Sequence, residues 1–215
     1  MVQFITFEGG EGTGKSTQIR LLQKYFEQIN VPCLATREPG GTALGELIRK
    51  LLLEVSADVI APLTEVFLYL ADRTHHVSQI IDPAISAGKI VLCDRFTDST
   101  LAYQGYGRGI NVAWLRELNE TATGSTRPDL TFLLDCPVEV GLSRTAARKY
   151  ETGNPREDRF ERETLAFHEK VRAGFFALAQ REPGRFSIID ATKTVEENAA
   201  EIREIVDRKV LNELR

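Results

Sequence analysis

Short apolar and β-branched runs alternate along this chain with longer stretches in which apolar residues recur every three or four positions. The runs are Val2–Phe7, Pro32–Thr36, Ile90–Asp94, Leu130–Asp135 and Phe186–Asp190. Between and after them, amphipathic spacing predicts helices over Thr17–Ile29, Leu44–Glu54, Leu63–Ser86, Val112–Thr123, Val138–Lys149, Asp158–Gln180 and Val195–Leu214. Ile19, Leu22, Tyr25, Phe26 and Ile29 illustrate the stripe that such a helix turns toward a core. Strands separated by helix-length sequence pair in parallel, so the pattern predicts an α/β fold with a five-stranded parallel sheet flanked by helices. Four strands end in or run into an acid, at Glu8, Asp94, Asp135 and Asp190, and the second ends at Arg37-Glu38. That polar carboxyl edge is where open α/β sheets bind ligands. Gly153-Asn154-Pro155 interrupts the helical pattern inside a polar, arginine-bearing stretch, which predicts a mobile connection.

One segment carries specific chemistry. Gly9-Gly10-Glu11-Gly12-Thr13-Gly14-Lys15-Ser16 follows the first strand and opens the first helix. Glycines in that pattern let successive backbone N–H groups turn inward around phosphate oxygens at the positive end of a helix dipole. Lys15 then reaches the β- and γ-phosphates and Ser16 a magnesium ion. The fold expectation sharpens to a three-layer fold of the P-loop NTPase type, and the ligand class to a nucleotide.

Composition narrows the field further. At 215 residues and 42% hydrophobic content the chain suits one compact domain, 1–215. With 27 basic against 31 acidic residues the net charge is -4, which argues against a general nucleic-acid or acidic-membrane binder. Cys33, Cys93 and Cys136 each lie in or beside an apolar run with no metal-type pairing, so buried reduced thiols in a cytoplasmic protein are expected. No positively charged leader precedes an apolar segment, and no apolar run approaches a membrane span. His75, His76 and His168 lack the spacing of a metal triad, and each reads as a helix-surface residue. Gly105-Tyr106-Gly107-Arg108-Gly109 follows no strand directly and reads as a flexible turn.

A phosphate loop serves switches, motors and kinases alike. A guanine-nucleotide switch would carry Asn-Lys-x-Asp after a late strand, and the sequence contains no Asn-Lys pair. After the third strand comes Asp94-Arg95-Phe96. An acid there can organise the water shell of a metal while the arginine faces phosphates; the same pair also makes an ordinary salt bridge at a strand end, and spacing does not choose between them. An ATP-dependent interaction module without catalysis is a further reading that the loop alone leaves open.

The motifs together resemble the thymidylate kinase family. Phe7-Glu8-Gly9-Gly10-Glu11-Gly12-Thr13-Gly14-Lys15-Ser16-Thr17-Gln18, Thr36-Arg37-Glu38-Pro39-Gly40-Gly41-Thr42, Asp94-Arg95-Phe96, Ser99-Thr100-Leu101-Ala102-Tyr103-Gln104-Gly105 and Phe167-His168-Glu169-Lys170-Val171 follow the family in order and gap over essentially the whole chain. The resemblance implies magnesium-dependent transfer of the γ-phosphoryl group of ATP to dTMP, usually by a homodimer. It implies an ATP cradle of Gly10, Glu11, Gly12, Thr13, Gly14, Lys15, Ser16 and Thr17, with Ser16 and Asp94 serving the metal. For the acceptor it puts Arg95 on the dTMP phosphate, Glu11 near the sugar hydroxyl, the turn at Glu38 and Pro39 over the nucleotide, and Tyr69, Arg73, Ser99, Thr100, Tyr103 and Gln104 around it. Glu11 makes chemical sense there, since a carboxylate beside phosphates must point at a donor, though a solvent-facing acid is the plainer alternative. Tyr69 departs from the phenylalanine more usual at the stacking position, and Phe67 is a neighbouring candidate.

Some members carry an arginine in the loop directly after the acid, where this chain has Gly12. The missing cation is expected from a mobile lid at about 144–160, the most basic stretch, which holds Arg144, Arg148, Lys149, Arg156 and Arg159. Arg148 is the first candidate for catalysis and Arg159 the second, beside Lys15 and Arg95. A solvated helix face with acid partners such as Glu157 and Glu161 is the alternative. Arg144 with the loop at Ala191 is the expected adenine site.

Overall fold

The computed structural model describes residues 2–54, 59–152 and 159–210, without the side chains of residues 148, 149, 151 and 152. The Arg148 side chain, Arg156, Glu157 and the Gly153-Asn154-Pro155 break therefore lie outside the described residues. Five strands form one parallel sheet: β1 (Phe4–Glu8), β2 (Cys33–Arg37), β3 (Ile90–Asp94), β4 (Leu130–Asp135) and β5 (Phe186–Asp190), ordered β2-β3-β1-β4-β5. β1 pairs with β3 on one side, Phe7 beside Asp94, and with β4 on the other, Glu8 beside Leu133. The chain direction of winding reverses at β1, so a crevice opens beyond its carboxyl end. All five strands fall where the apolar runs predict them, within two residues at each end.

Side-chain alternation on β1 divides the core. Ile5 and Phe7 join Leu92, Phe132 and Leu134 beneath α1 (Lys15–Gln28) and α9 (Val195–Lys209), through Ile19, Leu22, Phe26, Ile202 and Val206. On the opposite face Phe4 packs with Val91, Cys93 and Phe96 against Val77 and Ile81. There too, α8 (Leu165–Arg181) presses Val171, Phe175 and Leu178 toward Leu133 and Tyr103. The remaining helices are α2 (Ala43–Leu53), α3 (Pro62–His76), α4 (Asp82–Ser86), α5 (Thr97–Thr100), α6 (Val112–Thr123) and α7 (Val138–Thr152). No helix among the described residues is long and apolar enough to cross a membrane.

Three boundaries differ from the periodicity. The single helix expected over 63–86 is α3 and α4 joined by a π-helical turn, Val77–Ile81, just before Pro83 in the first turn of α4, whose nitrogen has no hydrogen to donate into a regular ladder. The helix expected from Asp158 begins as α8 at Leu165, because Thr164 caps it by accepting from the Phe167 amide at 3.3 Å. The glycine-rich stretch read as a flexible turn starts inside a π-helical segment, Leu101–Gly107, that continues α5, and only Arg108 and Gly109 lie in the turn after it. A Cβ at Gly107 would stand 2.6 Å from the Phe167 ring, and one at Gly174 would meet Tyr106 at 2.7 Å. Those glycines allow close packing of α8 on this segment.

Two of the three thiols, Cys93 and Cys136, are buried, and Cys33 is only half-buried; all are free. Burial pushes each thiol above its usual range.

Candidate active site

β1 ends at Glu8, and the chain turns through Gly9–Gly14 before α1 starts at Lys15. Gly14 caps α1 in a left-handed conformation, φ 92, with no side-chain hydrogen bond. The opening amides of α1 are thus left to an incoming anion, on the positive end of the helix dipole. Lys15 is buried and folds back over the loop, its Nζ donating to the Gly10 carbonyl at 2.7 Å and the Gly9 carbonyl at 3.2 Å. Burial, with the nearby Arg95 cation, lowers its ammonium to about 8. Thr13 Oγ1 also donates to the Gly10 carbonyl, at 3.2 Å. From the next strand, Asp94 Oδ2 accepts from Ser16 Oγ at 2.6 Å, so two hard oxygens stand together at the mouth of the loop.

Gly12 has a positive φ of 67, and a Cβ built there runs into the Gly141 carbonyl at the start of α7. A Cβ on Gly141 would likewise strike the Glu11 carbonyl. The two backbones touch, which leaves no room for a side chain at position 12.

Beside the loop lies a cleft lined by residues from five regions of the chain, among them Glu11, Pro39, Tyr69, Arg95 and Gln104. Arg95 anchors it. Its φ is 68, held by an amide hydrogen bond to the Phe7 carbonyl at 3.0 Å. Nη1 donates to the Gly9 carbonyl at 2.9 Å, Nη2 donates to Glu11 Oε1 at 2.7 Å, and the guanidinium lies 4.9 Å from the Tyr103 ring centre. Tyr103 Oη donates to the same Glu11 oxygen at 2.7 Å. Although burial alone would raise it, Arg95 and Lys15 together with the Tyr103 hydroxyl hold the Glu11 carboxyl down at about 2. Both donors use Oε1, so Oε2 keeps its acceptor capacity for a ligand.

Arg73, 1% exposed, is locked on four sides. Nε donates to Glu38 Oε2 at 2.8 Å, Nη1 to Asn119 Oδ1 at 2.6 Å and Thr100 Oγ1 at 3.0 Å, and Nη2 to the Phe96 carbonyl at 3.1 Å. A guanidinium has five N–H groups, so one on Nη2 remains for a ligand carbonyl. The cation stacks on Phe96 at 5.3 Å rather than on Tyr69. Tyr69 does line the cleft, while Phe67 is 54% exposed and does not. Ser99 turns inward, donating to Glu8 Oε2 at 2.6 Å. Burial and the Asp98 carboxylate push Glu8 up to about 7 against that bond. Gln104 Nε2 donates to Glu65 Oε1 at 2.7 Å.

Arg159 is tied to α2 and α3. Its Nη2 pairs with Glu65 Oε2 at 2.6 Å and its Nε donates to the Leu52 carbonyl at 3.0 Å, on the far wall of the cleft. At the other end, Arg144 Nη1 donates to the Ala191 carbonyl at 2.7 Å, joining α7 to the loop after β5.

Of the supporting residues, Glu65, Asp72 and His76 lie outside the motifs, and His168 lies inside one without a role read for it. Glu65 is fully buried and gathers Gln104, Arg108 and Arg159. His76 is fully buried rather than on a helix surface; its Nδ1 meets Glu38 Oε1 at 3.0 Å and its Nε2 meets Thr36 Oγ1 at 2.6 Å. Asp72 accepts from the Gly40 amide at 3.1 Å, and burial with the Glu38 charge raises its carboxyl to about 6. His168 too is buried, 4% exposed, behind the loop. An i, i+3, i+4 count could have put Glu65 and His76 on the inner stripe of α3, beside Val66, Tyr69 and Arg73. His168 carries no such signal, since its neighbours Phe167 and Val171 already account for the stripe.

The family model for thymidylate kinase matches residues 7–202. The chain is 52% identical over 205 residues to the thymidylate kinase of Desulfovibrio desulfuricans, covering 95% of this chain and 94% of that one. It is 49% identical to the thymidylate kinase of Geobacter sulfurreducens, with 98% and 99% covered. A crystal structure of thymidylate kinase from Ehrlichia chaffeensis superposes with a TM-score of 0.76 at 34% identity, over 95% of this chain and 98% of the other. A phosphate loop set against a cleft lined by Glu11 and Glu38, in a chain that matches over nearly its whole length, makes this protein a member of the thymidylate kinase family.

Proposed function

We propose that the protein transfers the γ-phosphoryl group of ATP to dTMP. The observation that carries this reading is Arg95, which spans the two halves of the site: one nitrogen bonds the phosphate loop at Gly9 and the other bonds Glu11 at the cleft. In the proposed reaction an oxygen of the acceptor phosphate attacks the γ-phosphorus, the bond from the γ-phosphorus to the bridging oxygen breaks, and that oxygen leaves on ADP. Such a step asks little covalent chemistry of a protein; it asks for alignment, exclusion of water and positive charge around the transferred group. Gly10 to Thr17 cradle the donor, Lys15 pairs with its terminal phosphates, and Arg95 holds the acceptor phosphate in line. Glu11 Oε2 accepts from the sugar hydroxyl, Tyr69 stacks on the base, and Gln104 with the spare Arg73 N–H reads its polar edge.

Magnesium fits the donor set. Ser16 Oγ and Asp94 Oδ2 are hard oxygens 2.6 Å apart, and a cation that keeps several waters and takes further ligands from phosphates suits so sparse a protein contribution. Among the described residues no three acidic, histidine or cysteine side chains gather as a metal cage, so the ion would come with the nucleotide. When bound it neutralises charge on the donor phosphates. The basic stretch 144–160 serves in this reading as a lid, with Arg148 supplying the cation that Gly12 cannot and Arg144 with Ala191 bordering the adenine. The pairing of Arg159 with Glu65 favours a part for Arg159 in closing the acceptor cleft rather than in catalysis.

Assay of ADP release with dTMP, dUMP, dCMP, AMP and thymidine as acceptors tests the proposal. It expects dTMP to be best. A preference for thymidine would remove Arg95 from the acceptor phosphate, and absence of ADP with dTMP and magnesium would favour the non-catalytic alternative. Within that assay Gln104→Ala should raise the KM for dTMP about tenfold, by leaving buried polar groups unpaired, while the KM for ATP stays put.

A homodimer belongs to the same proposal. Leu44, Leu47 and Leu51 on α2, Leu63 and Phe67 on α3 and Trp114 on α6 are all exposed apolar side chains, on helices where α3 packs against both neighbours. So much apolar surface calls for a cover, and a second copy fits the family resemblance. Leu51→Glu should shift sedimentation from dimer to monomer; an unchanged mass would move the interface elsewhere.

A further inference from the structure

Behind the phosphate loop a small cavity of about 20 Å³ lies between the loop, the end of β4, the start of α7 and α8. Its walls include Gly10, Glu11, Thr13, Cys136, His168 and Val171. His168 is 4% exposed, and its Nε2 has no hydrogen-bond partner. A buried imidazole nitrogen without a partner is costly, and proteins meet such a need with an internal water. The free volume accommodates one water molecule, which requires roughly 10–15 Å³. The backbone of the loop supplies polar groups on the opposite wall.

We propose that His168 is a positioning residue for the phosphate loop: an internal water held between its Nε2 and the loop backbone at Gly10–Glu11 ties α8 to the loop and fixes the direction of the Glu11 carboxylate. The loop also touches β4, where Gly9 meets the Leu134 carbonyl, and α7, where Gly12 meets Gly141. Glu11 lies between the two supports. Its Oε1 takes hydrogen bonds from Arg95 and Tyr103, and Tyr103 in turn packs against Phe167 and Phe175 of α8. The water thus closes a circuit from α8 through Tyr103 and Glu11 back to α8. His168 touches no substrate in this arrangement; it acts through the loop.

The kinetic consequence rests on the acceptor reading of Glu11, whereas the water does not. Two variants separate hydrogen bonding from packing. His168→Gln can put an amide nitrogen or oxygen near the place of Nε2 and should keep the KM for dTMP within about threefold. His168→Leu fills similar space without a polar atom and should raise that KM on the order of tenfold, with the KM for ATP unmoved. Equal constants for the two variants, whether both normal or both impaired, would overturn the proposal by reducing His168 to packing. Glu11→Gln measured alongside keeps the readings apart: if it leaves the KM for dTMP unchanged, the acceptor reading of Glu11 fails and the histidine result is judged on the water alone. A crystal structure of the unmodified protein at high resolution decides that point whatever the variants do. An ordered water within hydrogen-bonding distance of both Nε2 and the loop backbone is expected; a dry cavity, or Nε2 bonded directly to protein, would refute it.

Discussion

Arg95→Ala lowers kcat with dTMP by about 10³-fold or more, the loss typical of a cation that aligns the acceptor and stabilises the charge of phosphoryl transfer. The side chain is committed on three sides, to Gly9, Ser99 and Glu11, so its guanidinium arrives already oriented and no reorganisation is needed when phosphates enter. Arg95→Lys should recover little, because a lysine ammonium cannot bond the loop carbonyl and Glu11 at once from a planar fork. Both variants keep a residue with a side chain at φ 68, so backbone strain is unchanged and cannot account for the loss. Loss of this cation also frees the Glu11 carboxyl to rise from about 2. Steady-state ADP release, with thermal unfolding as a check on the fold, measures the effect. Activity within tenfold of the unmodified protein would take Arg95 out of the site.

The second large effect lies on the donor side. Lys15→Met should depress kcat/KM for ATP by roughly 10²–10³-fold, as expected when a preorganised donor to developing phosphate charge is removed. A pH dependence accompanies it. In the free protein burial and Arg95 bring Lys15 down to about 8, and phosphates in the loop would raise it again. Between about 8 and that higher value the complex therefore holds one more proton than its free components. By linkage, ATP affinity should be level below about pH 8 and fall as pH rises beyond it, by up to tenfold per unit. Calorimetry in two buffers of different ionisation heat should count nearly one proton taken up near pH 9 and none near pH 7. Lys15→Met should abolish that uptake, and uptake that survives the substitution would assign the proton to another group.

Local chemistry made much of this site readable before any fold was in view. Ser16 and Asp94 are 78 residues apart yet meet at 2.6 Å, and both announce themselves, one by its place after Gly14-Lys15 and the other by ending an apolar strand. Arg95 and Glu11 were singled out through the resemblance, and local chemistry alone left a plain salt bridge and a solvent-facing acid open for them. Glu65, His76 and His168 were not legible. A lone acid or imidazole on a helix is usually solvated, and only the helices packed around these three decide otherwise. Gly105 and Gly107 misled in another way. Glycine in sequence signals a turn, whereas here Gly107 admits the Phe167 and Val171 side chains of α8, 60 or more residues later in the chain, and Gly105 those of Val112 and Leu115. The start of α8 was misplaced because amphipathic spacing runs on through Arg159 and Phe160, while the boundary is set by the single hydroxyl of Thr164.

The meeting of Gly12 with Gly141 has an evolutionary reach. In the proposed reading the extra cation comes from α7, and a loop that carries it instead is not one codon away. Arginine at 12 would first have to push α7 away, forfeiting the fold's support before any new charge could help, and moving α7 first would leave the loop unbraced with nothing gained. Each change is harmful without the other, which makes the present arrangement a local optimum from which stepwise drift has no easy exit.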